Sequence, residues 1–135
     1  MFKEINCLSL ENNPADPKEE SGFLFYNGMP TGTTIGGCTI EKQFETEDHY
    51  LVIASYGLDC EEFNCITLLD KFFTPVSNKH IGYAYRYMTV DAAVPTKDNE
   101  LLITFQNHSS VIAQICKIPF LPLKPFLRLK QWKYS

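Results

Sequence analysis

The stretch Leu101-Leu-Ile-Thr-Phe-Gln-Asn-His-Ser-Ser-Val-Ile-Ala-Gln-Ile-Cys116 decides the fold. Two apolar runs, Leu101 to Gln106 and Val111 to Cys116, flank Asn107-His108-Ser109-Ser110, four residues of the kinds that reverse a chain. Side chains of a strand alternate between faces. Strict alternation therefore turns Leu101, Ile103 and Phe105 inward against Val111, Ala113 and Ile115, and sends Thr104 to the opposite face. The segment predicts a β-hairpin.

The same period of two recurs upstream. Cys38, Ile40 and Phe44 alternate with Thr39, Glu41, Gln43 and Glu45, which predicts a half-buried strand with an acidic outer surface. After the polar break Glu47-Asp48-His49, the run Tyr50 to Tyr56 is apolar on both faces and so belongs in the centre of a sheet. Phe63 to Leu69 reads as the next strand. Asp70 to Asn78 reads as a turn and a short strand that Pro75 confines to an edge or bulge.

Residues 81 to 88 set Ile81, Tyr83, Tyr85 and Tyr87 against Gly82, Ala84, Arg86 and Met88, again with strand alternation. Phe23 to Tyr26 is a short strand closed by Asn27-Gly28; Pro30 to Gly37 holds Gly and Thr at turn-like positions, with Gly36-Gly37 a bulge or bend. Residues 11 to 21 are rich in Asn, Pro, Asp, Lys and Glu and predict a mobile loop. Residues 119 to 135 open with three prolines and predict an irregular segment, in which Phe126 to Lys133 has room for one turn or an edge strand.

With almost no helical period, these runs predict an all-β fold: one domain over residues 1 to 135, an antiparallel β-sandwich or partly closed barrel of about seven to eight short strands. A chain of 135 residues, 44% of them hydrophobic, buries enough surface to hold a core without disulfide staples.

Charge is the most unusual property of the sequence. Residues 41 to 62 carry Glu41, Glu45, Glu47, Asp48, Asp59, Glu61 and Glu62 against the single base Lys42, whereas the last 35 residues hold five bases and no acid. The net charge of −4 argues against nucleic acid as a partner, since phosphate binding runs on Lys and Arg. No run approaches the roughly 20 apolar residues of a membrane span. The first ten residues lack a signal-like apolar stretch, and the five cysteines (Cys7, Cys38, Cys60, Cys65, Cys116) sit mostly in apolar runs. Both features predict reduced thiols in a soluble cytoplasmic protein.

Catalytic and cofactor signatures are missing. There is no phosphate-binding glycine loop, no G-x-S-x-G and no H-E-x-x-H, so the sequence implies neither a catalytic set nor a cofactor. Cys60 and Cys65 stand five apart, wider than the usual zinc knuckle, and His49, His80 and His108 have no ligand-like spacing; no metal is expected. The tyrosines of residues 81 to 88 could stack bases, but with only Arg86 among them sheet packing accounts for them better.

Seven acids to one base over 22 residues exceed what solubility asks of a small protein. The expectation is a non-enzymatic binding protein that offers Glu41, Glu45, Glu47, Asp48, Asp59, Glu61 and Glu62 to a basic protein, with Tyr50 or Tyr56 as aromatic anchors if exposed. Its sharpest form is an inhibitor or immunity protein covering the active site of a basic toxin such as a nuclease, since such sites are cationic to hold phosphate. Two alternatives stand beside it: a small-ligand β-barrel lined by Tyr and Phe, and a hydrolase gathering histidine and carboxylates in a cleft.

Overall fold

The computed structural model describes residues 1–15, 21–56, 64–81, 89–117 and 125–132. Within them lie twelve strands and no helix: β1 (Lys3–Glu4), β2 (Leu8–Asn12), β3 (Ser21–Tyr26), β4 (Met29–Gly36), β5 (Thr39–Glu45), β6 (His49–Ser55), β7 (Asn64–Asp70), β8 (Pro75–Ile81), β9 (Val90–Lys97), β10 (Glu100–Phe105), β11 (Ser110–Cys116) and β12 (Phe126–Trp132). They form three antiparallel sheets, ordered β1-β5-β6-β7-β8, β12-β11-β10-β9 and β2-β3-β4. The sheets stack as a layered sandwich and do not close into a barrel.

The five-stranded sheet is the middle layer. One of its faces sends Phe44, Leu51, Ile53, Ile66 and Leu68 against Leu101, Ile103, Phe105, Ala113, Ile115 and Leu127 of the four-stranded sheet. Its other face sends Tyr50, Val52, Ala54 and Leu69 against Leu8, Leu24 and Ile35 of the three-stranded sheet. Strand β6 is buried from His49 through Ala54 because both its faces are covered, which is what its unbroken apolar run implies.

The hairpin of β10 and β11 has the alternation read from the sequence. Leu101 pairs with Ala113 and Ile103 with Val111, and Leu101, Ile103, Phe105, Ala113 and Ile115 are all buried. Its turn is set by Asn107, whose Oδ1 accepts from Ser109 N at 3.0 Å, and by His108 with φ of 69°. Asn27 and Gly28, with φ of 49° and 79°, give β3 and β4 the two-residue turn of left-handed residues that suits strand twist. Pro75 begins an edge strand, β8, as its missing N–H requires.

The structure differs from the sequence reading in three places. Among the described residues strands number twelve rather than seven or eight, because β1, β2, β4, β9 and β12 also form; for Phe126 onward the edge-strand option is realised, over Phe126–Trp132. Of the loop expected over 11 to 21, Glu11 and Asn12 belong to β2 and Ser21 to β3. The tyrosine row after Ile81 lies outside the described residues.

The third difference bears on function. The register of β5 on β6 shifts between Ile40 and Lys42, so that Ile40 pairs with Ala54 but Lys42 with Ile53. One extra residue, Glu41, is thereby inserted, and a bulge of this kind exchanges the faces beyond it. Ile40 packs toward the three-stranded sheet and Phe44 toward the four-stranded one. The acids of β5 therefore do not share one outer face.

Between β4 and β5 the chain crosses from an outer layer into the middle one at Gly36-Gly37. Gly37 has φ of 102° and lies flat on Ala54, while a Cβ on Gly36 would sit 2.8 Å from Cys65 Sγ. A second bridge between these layers is Gln43. Its amide accepts from Leu8 N at 2.8 Å and donates to Leu8 O at 2.9 Å, taking the place of a neighbouring strand.

A polar cleft beside the β5–β6 turn

Glu41 and Glu45 are half-buried and occupied. Glu41 Oε1 accepts from Ser55 Oγ at 2.7 Å. Glu45 pairs with Lys71 at 3.2 Å, and the same ammonium lies 4.2 Å from the centre of the Tyr50 ring. Tyr50 is only 7% exposed and packs on Tyr26 and Phe73. Burial, with the Tyr26 phenol next in weight, pushes its hydroxyl above the usual tyrosine range. It is a core residue and offers no exposed anchor. Tyr56 is half-buried, its ring stacked on His80 and its hydroxyl 3.2 Å from His80 Nδ1. Asp59, Glu61 and Glu62 lie outside the described residues.

Glu47 and Asp48 are placed differently. They are the two central residues of the turn joining β5 to β6, which is closed by Thr46 N donating to His49 O at 2.9 Å and His49 N donating to Thr46 Oγ1 at 3.1 Å. Both side chains are exposed, and among the described residues neither carboxylate makes an ion pair or a hydrogen bond. The one base of the acidic stretch, Lys42, is engaged elsewhere, with Glu4 at 3.5 Å.

The turn forms one wall of a cleft of about 450 Å³ at the end of the sandwich, where the middle and four-stranded sheets part. Asn99, from the β9–β10 turn, and Lys117, just beyond β11, line the facing side, and Ile115 supplies an apolar part of the lining. Asn99 is held there through its carbonyl, which accepts from Ile115 N at 3.0 Å.

Met1 and Thr46 also line the cleft, and the last lining residue is His49. By alternation it shares the face of Leu51 and Ile53, and so continues the core row outward until it meets the cleft. It is 8% exposed, and its ring has no hydrogen-bond partner among the described residues. Burial holds its pKa below the ordinary 6.5; the carboxylates of Asp48 and Asp70 oppose the shift, while Lys117 and Lys71 add to it. The imidazole is therefore neutral at pH 7.

A lowered histidine pKa carries a definite sign. The unfolded chain binds the proton more readily, so the contribution of His49 to stability is complete above about 6.5 and is lost as pH falls below it. Urea titrations at about pH 7.5 and 5.5 should show a larger acid destabilisation in the parent than in His49→Gln. Identical pH dependence in the two proteins would refute a buried neutral imidazole.

Of the sequence-selected acids among the described residues, Glu47 and Asp48 come together at this cleft, and Glu41 and Glu45 do not line it. Asn99, Ile115 and Lys117 carry no sequence signal, since they meet the turn only through the packing of two sheets. His49 was legible in part: the apolar run of β6, extended one residue back, places it on the core face. Among the described residues no three His, Cys, Asp or Glu side chains are grouped as metal ligands, and no helix is long and apolar enough to cross a membrane. Comparison with known proteins gives no match to the chain among family models, curated proteins or solved structures.

Proposed function

We propose that the protein is a non-enzymatic binding protein that docks a basic protein on its β5–β6 turn, and that in its sharpest form it is an inhibitor or immunity protein covering a cationic nuclease site. The observation that carries this reading is the pair Glu47 and Asp48, exposed on a turn closed by two hydrogen bonds, with both carboxylates unpaired among the described residues. Carboxylates already paired, such as Glu45 with Lys71, would have to break one contact to make another. Free ones on a fixed turn lose little on binding and steer a cationic partner during approach.

Reversal of both charges, Glu47→Lys with Asp48→Lys, should slow association about 10- to 100-fold at low salt and flatten its salt dependence. Glu11→Lys, an exposed reversal on β2, should change it little. The partner is to be captured from the native host and its binding kinetics followed at two salt concentrations. Unchanged association for the double reversal, or an acidic partner, would refute the proposal.

A further inference from the structure

Resting on that reading of the turn, we propose that the cleft below Glu47 and Asp48 receives a single arginine side chain of the basic partner, its guanidinium meeting the two carboxylates and the His49 ring. The His49 imidazole is 8% exposed, borders the cleft and has no hydrogen-bond partner among the described residues, so its polar edge is met by water of the cleft or by a ligand that replaces it. A neutral imidazole presents one acceptor nitrogen. With the carboxylates of Glu47 and Asp48 and the amide oxygen of Asn99, the lining becomes a set of convergent acceptors.

Guanidinium fits such a set better than ammonium does. Its donors are spread over a plane, so one group reaches several acceptors at once, and it is the more weakly hydrated cation and easier to bring next to a buried ring. A volume of about 450 Å³ admits a whole side chain, with Ile115 available to the methylene stem. The Lys117 ammonium and the amino group of Met1 also line the cleft, so the attraction for guanidinium comes from the unpaired acceptors and not from a net charge. Lys117 provides a discriminating variant.

The probe is the capped peptide acetyl-Gly-Arg-Gly-amide, with the citrulline peptide as a neutral control of the same shape, titrated into the whole protein while the histidine ring resonances are followed by NMR. The arginine peptide should shift the His49 resonances saturably at millimolar concentration and leave the exposed His80 and His108 unmoved. Glu47→Gln with Asp48→Asn should weaken the apparent affinity about tenfold or more. Lys117→Ala should strengthen it severalfold, because a repelling charge is gone.

No shift at His49 up to the solubility limit of the peptide, or an equal shift with citrulline, would overturn the proposal. A Lys117→Ala protein that binds more weakly would overturn it too, pointing to a ligand of both charges that uses the ammonium. These outcomes differ from a failure of the docking reading, which shows as charge reversal without effect on partner association. A partner that obeys the charge reversal while His49 stays silent means the turn docks it and the cleft does not.

Discussion

Gly37→Ala should cost roughly 3 to 5 kcal/mol of folding stability, the largest loss expected from a glycine-to-alanine change among the described residues. Two effects combine. At φ of 102° an L-residue is strained whatever the surrounding space, and the new Cβ would collide with the Cβ of Ala54 while standing 3.2 Å from its carbonyl carbon. Ala54 is fully buried in the middle strand of the middle layer and has nowhere to go. Gly28→Ala isolates the first effect, since its φ is 79° but nothing lies within 4 Å of an added Cβ. It should lose only about 1 kcal/mol. Denaturant titrations of the two variants decide the matter; equal losses would show that the crossing between layers can shift without penalty.

Phe105→Ala should cost roughly 3 to 5 kcal/mol, the usual range for deleting a buried aromatic side chain. Phe105 is 2% exposed and fills the interface between the middle and four-stranded sheets with Leu101 and Ile103. Thr104, one residue away, points to the outer face of its sheet and makes only a 3.4 Å contact from its hydroxyl to Ala92 O. Thr104→Ala should therefore lose less than about 1 kcal/mol. The contrast tests the register directly, because a slip by one residue would exchange the two results.

What the sequence displayed and what it hid divide along a physical line. The inner strands β5, β6, β7, β10 and β11 were readable because burial on one or both faces writes itself into the order of apolar residues. The strands that escaped reading, β1, β2, β4 and β9, are all edges of their sheets, as is β12, for which the sequence left a turn and an edge strand open. An edge strand is half solvated, and tolerates Pro30, Gly32 and Pro95 where an inner strand would not. The single acidic face read for β5 alone was lost for a different reason. One inserted residue at Glu41 reverses the alternation, and nothing local announces it, since a bulge is decided by how two strands pair. The cleft was illegible because it is made where the β5–β6 turn meets the β9–β10 turn and the end of β11, which come far later in the chain.

The order of the layers along the chain has a consequence for biosynthesis. Apart from β1 on β5, each paired strand joins its immediate neighbour in sequence, so the layers emerge one after another: an outer sheet, then the middle sheet, then the other outer sheet. While the chain is being made, β6 and β7 can be covered on one side at once by the sheet that precedes them. Their second face, with Leu51, Ile53, Ile66 and Leu68, waits for β10 and β11 to leave the ribosome. Strands β6 and β7 combine high β-propensity with few charges, the composition that aggregates when bare. The interval before the last layer arrives is thus the vulnerable moment in the life of this protein, and the point at which a chaperone would have most to hold.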